Sequence, residues 1–147
     1  MTQTPQGDAM MEVALGIAQA FFRMRAAGRG IGAVSPWGAG LWGMLRSLKL
    51  DGPQTVPQIA RARPVARQRI QKLANEMAAD GVVEFVDNPA HRRSKLVRLT
   101  PKGEALYEDL TARVAAICET LAADLDADDL RTTARTLGAI RDKLAKL

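Results

Sequence analysis

The sequence predicts a mostly α (α+β) fold, and three observations carry that expectation. Apolar residues recur at helical spacing along most of the chain. Residues suited to open helices stand at Ser35-Pro36, Thr55, Thr100-Pro101 and Asp126. Two short β-type segments, Val82–Val86 and Leu96–Leu99, interrupt the helices once, around an Asp87-Asn88-Pro89 turn.

The first helix carries Met10, Ala14, Ile17, Ala18, Phe21 and Met24 or Arg25 on one stripe, and Ala26 to Val34 reads as a Gly-rich connector. Ser35-Pro36 opens a second helix with Leu41, Trp42, Leu45 and Leu48 inward, and Asp51-Gly52-Pro53 ends it. Thr55 caps a short third helix through Arg61, with Val56, Ile59 and Ala60 inward. Pro64 forbids its continuation, because proline lacks an N–H and pushes Arg63 out of helical conformation. A fourth helix follows from Val65 or Ala66 to about Asp80, stopped by Gly81. Its inner stripe is Ala66, Ile70, Leu73, Ala74 and Met77. Two helices across a short break, then a hairpin, make a winged helix-turn-helix.

A long helix starts at Thr100 and carries Leu106, Leu110, Val114, Ile117 and Leu121 on one side. Asp126 caps a last helix bearing Leu130, Leu137, Ile140, Leu144 and Leu147. These helices are not needed for the winged core, so their apolar stripes must be buried elsewhere. A homodimer interface is favoured over a fold-back onto their own domain.

The 147 residues are a single-domain length, and 47% hydrophobic with 25% charged residues is ordinary for a soluble globular protein. The net charge of +5 is unevenly spread. Residues 55–102 hold ten Lys and Arg against four Asp and Glu, whereas residues 103–147 hold six against nine. The molecule is thereby oriented toward a polyanion. One cysteine and one histidine exclude a disulfide framework and a Cys/His zinc cluster. The sequence shows no Ser/His/Asp set and no phosphate-cradling glycine motif, so neither enzyme activity nor a cofactor is expected. Met1 to Asp8 lacks the pattern of a signal peptide, and the uncharged run 30–45 is too short and too rich in glycine to span a bilayer. A cytoplasmic protein without membrane partners is the expectation.

The outer face of the fourth helix presents Arg67, Gln68, Gln71, Lys72 and Asn75, with Arg69 at its flank. Arg pairs with guanine edges and Gln with adenine edges in the major groove, read mainly from the start of such a helix. Taken alone this face would pass for a solvated surface. The hairpin tip His91-Arg92-Arg93-Ser94-Lys95 decides the matter, since a cationic finger suits phosphates and the narrow minor groove. Double-stranded DNA is the expected partner. A winged helix serving as a protein-interaction module, or binding DNA without sequence preference or effector, is the alternative. An apolar or acidic face would have favoured the protein module.

The stretch TVPQIARARPVARQRIQKLANEMAADGVVEFVDNPAHRRSKLVRLTPKGE resembles the MarR family of bacterial transcriptional regulators. The Asn-Pro turn, the paired arginines and the Leu-Thr-Pro-Lys-Gly helix start carry the likeness. The resemblance implies one domain over residues 1–147, with a DNA-binding lobe at 36–102 and dimerisation helices at 9–27 and 103–147. It implies a homodimer on a pseudo-palindromic operator, and a ligand-responsive repressor released by a small aromatic or amphipathic effector. Ala66 stands where many relatives have Ser or Thr, and His91 where an acidic residue often precedes the arginines. The candidate DNA contacts are Thr55, Arg63, Pro64, Ala66, Arg67, Gln68, Arg69, Gln71, Lys72, Arg92, Arg93, Ser94 and Lys95. Phe21, Phe22, Trp37, Trp42 and Tyr107 fall on elements that border a cavity in relatives, which makes Phe21, Arg25, Trp42, Arg46 and Tyr107 the candidate effector contacts. Cys118, at the edge of a stripe and without a neighbouring cation, is expected to be a small buried hydrophobe and not a redox sensor.

Overall fold

A computed structural model describes residues 4–30, 41–63 and 65–147. The order is α1 (Pro5–Gly30), α2 (Leu41–Asp51), β1 (Gln54–Thr55), α3 (Val56–Ala62), α4 (Arg67–Ala79), β2 (Val83–Val86), β3 (Leu96–Leu99), α5 (Pro101–Ala122) and α6 (Ala127–Leu144). The mostly helical winged fold expected from the sequence is present. The chain forms two compact units, Met1–Thr111 and Ala112–Leu147.

The core of the first unit is built by α2, α3, α4, the sheet and the start of α5. Leu41, Met44, Leu45 and Leu48 of α2 meet Val56, Ile59 and Ala60 of α3 and Ile70, Ala74 and Met77 of α4. Val82, Val83, Val97 and Leu110 complete it, and Trp42 and Tyr107 pack on its edge. Trp42 also donates from Nε1 to the Thr111 hydroxyl at 2.9 Å, which ties α2 to α5.

Thr55 opens α3 through a reciprocal pair of bonds. Its hydroxyl accepts from the Gln58 N–H at 3.3 Å, and the Gln58 side chain accepts from the Thr55 N–H at 2.8 Å. The sheet is antiparallel in the order β1-β3-β2, with Phe85 opposite Val97 and Glu84 opposite Arg98. Strand β1 is not foreshadowed in the sequence. Two residues, Gln54 and Thr55, cannot show a period, and only the partners Val97 and Leu96 make them a strand.

Helix α4 closes in a Schellman motif: Gly81 N–H donates to Ala78 O and Val82 N–H to Met77 O, with Gly81 at φ +74°. The start of α5 is sewn to that turn. The Thr100 hydroxyl donates to the Gly81 carbonyl and accepts from Gly103 N–H at 3.1 Å, while Thr100 N–H donates to Val82 O at 3.2 Å. Lys102 Nζ reaches Asp80 O at 2.7 Å. Gly103 lies so close that a Cβ there would stand 2.0 Å from the Val82 carbonyl oxygen.

Three expectations are corrected. Helix α1 runs from Pro5 to Gly30, so Ala26 to Gly30 is helix and not connector. Thr4 explains the early start: its hydroxyl accepts from Gly7 N–H at 3.0 Å ahead of Pro5, the same Thr-Pro device as Thr100-Pro101. Ala26 and Ala27 sustain the far end because alanine favours the helix. The rest of the connector, the Ser35-Pro36 start and Trp37 lie outside the described residues. Cys118 is exposed, not buried: no described residue covers that edge of the α5 stripe.

Gly103→Ala should force the seam between the α4 turn and α5 apart, since the blocking atom is backbone. We expect a loss of at least about 1–3 kcal/mol in chemical denaturation, the usual range for overpacking. A variant as stable as the parent would show that α5 can shift without disturbing the wing.

Candidate nucleic-acid interface

The wing and α4 enclose a groove of about 610 Å³. Its floor is apolar, made by Val56 and Pro57 at the start of α3 and by Phe85 of β2. The helix wall is Arg67, Gln68, Gln71 and Asn75. The wing wall is Arg93, Ser94 and Lys95. Three cations and three amides thus converge in one concavity whose lining includes no carboxylate. Such a surface attracts phosphate and can donate to and accept from base edges.

Local folding explains each placement. Ile70, Ala74 and Met77 bury the inner face of α4, so helical geometry turns Arg67, Gln68, Gln71 and Asn75 outward. Ala66 stands at the N-cap without a side-chain hydrogen bond, leaving the first-turn N–H groups of α4 without a hydroxyl partner. On the wing, the Asn88 side chain accepts from Ala90 N–H at 3.1 Å, and His91 N–H donates to Asn88 O at 3.2 Å. Those bonds shape the turn that brings Arg93, Ser94 and Lys95 back toward α4. The Glu84–Arg98 pair, with Arg98 Nε 2.9 Å from Oε1, joins the wing strands at an exposed site where such a pair stabilises little.

The expected DNA contacts divide into groups. Arg67, Gln68, Gln71, Arg93, Ser94 and Lys95 come together in the groove. Arg69, Lys72 and Arg92 are exposed on the same two elements, outside its lining. Thr55 is buried, and its hydroxyl caps α3. The Arg63 guanidinium lies against α2, its Nη1 3.0 Å from where a Cβ on Gly43 would be. Pro64 lies outside the described residues. Asn75, seen on the outer face but not counted among the contacts, was missed along with Val56, Pro57 and Phe85. The four-residue step from Gln71 was the available signal for Asn75; nothing in the pattern marked the floor.

The expected effector residues do not form one visible cluster. Arg25 stacks over Phe21 with its guanidinium carbon 5.7 Å from the ring centroid, and Phe21 meets Phe22 edge-on at 5.7 Å, all on exposed α1. Trp42 and Tyr107 are half-buried on the core, and Arg46 is exposed.

Residues 42–94 match the model of the MarR family. An uncharacterised Mycobacterium tuberculosis protein is 36% identical over 96 residues, 65% of this chain and 66% of its own length, so the match spans just under two thirds of that relative. YdgG, an uncharacterised HTH-type transcriptional regulator of Bacillus subtilis, is 28% identical over 102 residues, 68% of this chain and 67% of its own. Among solved structures, the MarR family transcription regulator SP03579 superposes with a TM-score of 0.78 at 24% identity, over 96% of this chain and 93% of that one. Staphylococcus aureus MarR in complex with salicylate and kanamycin gives 0.75 at 19%, again over 96% and 93%. At such identities these structures show the shared fold.

Arg67→Ala or Gln68→Ala should erode discrimination between a preferred duplex and random DNA by roughly 1–3 kcal/mol, with non-specific affinity less affected. Lys72→Ala, farther from the helix start, should lower both affinities more evenly. Competition titrations measure the difference. Full preference in the Arg67 and Gln68 variants would move specificity from this helix start to DNA shape.

Proposed function

The chain belongs to the MarR family of transcription regulators, and from that premise we propose that it is a homodimeric repressor on a pseudo-palindromic operator, released by a small aromatic or amphipathic effector. The groove carries the reading. Arg67, Gln68 and Gln71 stand on a helix that fits the major groove, and Arg93 and Lys95 on a wing that reaches phosphates beside it. Arg92 extends the wing's positive charge beyond the groove.

The twofold arrangement is supported by apolar surface that a single chain leaves in water. On α1, Leu15, Phe21, Phe22 and Met24 are each more than half exposed. On the second unit, Leu121, Leu125, Leu130, Leu137 and Leu144 are exposed as well. Stripes of this extent on amphipathic helices mark association surfaces. A dimer presents two recognition helices, as a palindromic operator requires. Effector release is supported by the fold shared with a regulator that holds salicylate, and by aromatic and cationic groups at Phe21, Arg25, Trp42, Arg46 and Tyr107.

Salt titration of duplex binding tests the proposal. Replacing both Arg92 and Arg93 by Ala should weaken specific and random binding together and lower the magnitude of the log–log salt slope by about 2. An unchanged slope in a folded variant would remove the wing from the interface. Absence of DNA binding by the parent would favour a protein-interaction module.

Leu137→Asp places a charge in the proposed apolar seam, costing several kcal/mol if that seam is buried. Sedimentation should then show monomer, or loss of folded protein, and operator affinity should collapse. A folded variant that stays dimeric would place the interface elsewhere.

A further inference from the structure

On α4, Gln71 donates from Nε2 to Oδ1 of Asn75 at 3.0 Å. Both side chains are exposed on the helix wall of the groove, across from Arg93, Ser94 and Lys95. A four-residue step places them one turn apart on the same face. A primary amide offers two N–H donors and one carbonyl acceptor. Only the Nε2 hydrogen cis to Oε1 lies beside that oxygen, so reading adenine requires that Asn75 engage the trans hydrogen and leave the cis hydrogen and Oε1 side by side in the amide plane. One donor beside one acceptor complements the N7 acceptor and N6 amino donor of adenine in the major groove. Guanine offers two acceptors at that edge and leaves Oε1 without a partner. An untethered glutamine would also lose more rotamer freedom when ordered against a base.

We propose that Asn75 is a positioning residue for base recognition: it holds the Gln71 amide so that α4 selects adenine at one position of each half-site. The inference rests on α4 being the base-reading helix of a DNA-binding protein. It gives Gln71 a readout deeper in the helix than the Arg67–Gln68 start, and assigns a role to a residue that itself need not touch DNA. The pair would add the same small helix stability on any solvated face. Its place inside a cationic groove is what turns it toward bases.

The test is selection from a pool of random duplexes with the full chain, its Gln71→Ala, Asn75→Ala and Asn75→Asp variants and the Gln71→Ala/Asn75→Ala double variant. Circular dichroism of each confirms helix content. Both alanine variants should flatten the same adenine position by about 10-fold, and the double variant should be no worse than either single one. Asn75→Asp keeps an acceptor oxygen in place, so adenine preference should return while affinity for every sequence falls through repulsion from phosphates. Intact adenine preference in Asn75→Ala overturns the proposal, as does additive loss at a different base pair. A parent that enriches a motif unaffected by Gln71→Ala overturns it too, while leaving the DNA-binding reading standing. A parent that binds no duplex defeats both.

Discussion

The wing can face α4 only because the turn after α4 and the start of α5 share backbone carbonyls. Gly81 reverses the chain at positive φ, and Val82 O then accepts from Thr100 while Gly103 gives it room. The residues on either side of that seam are the first of β2 and the last of β3. Both ends of the wing are therefore fixed at one point, directly behind α4. A hairpin held at a single frayed end would let Arg93 and Lys95 drift, and a groove between helix and wing would not persist. The Leu-Thr-Pro-Lys-Gly stretch is thus structural in every letter from Thr100 onward: cap, first helical residue, N–H donor to the Asp80 carbonyl and close-approach glycine.

On that frame the electrostatics follow from what is left outward. Burial of Ile70, Ala74 and Met77 commits one side of α4 and leaves the amides and Arg67 in solvent. The groove floor of Val56, Pro57 and Phe85 gives those polar groups an apolar backing, where hydrogen bonds to a ligand compete less with water. Glu84, the acidic residue of the wing strands, is paired with Arg98, and neither lines the groove. Positive charge there is consequently not cancelled locally.

Much of the site could be read from residue types at fixed spacing. Arg67, Gln68 and Gln71 on one helical face, and Arg93, Ser94 and Lys95 after an Asn-Pro turn, were identifiable without coordinates and do meet in one groove. Thr55 and Arg63 do not line that groove. A threonine before a helix is a cap as readily as a phosphate ligand, and here the Gln58 partner makes it the cap. Arg63 is long enough to turn back to α2, where Gly43 leaves space for its guanidinium. The Arg63 outcome is not encoded in local pattern, because it depends on what lies across the fold, whereas the Thr-x-x-Gln spacing behind the Thr55 cap is local.

The sequence by itself determined the cores of the helices, the Thr55, Thr100 and Asp126 caps and the hairpin, since periodicity, proline, glycine and Thr-Pro pairs act over a few neighbouring residues. It also determined the sign of the surface, because charge survives any arrangement that leaves it exposed. Tertiary structure alone decided β1, which exists only through Val97 and Leu96, and the approach of the Arg63 guanidinium to Gly43. It decided the groove as well: a concavity arises from the angle at which a wing meets a helix, and that angle is set by the carbonyls of Gly81 and Val82 meeting Thr100 across nearly twenty residues of intervening chain.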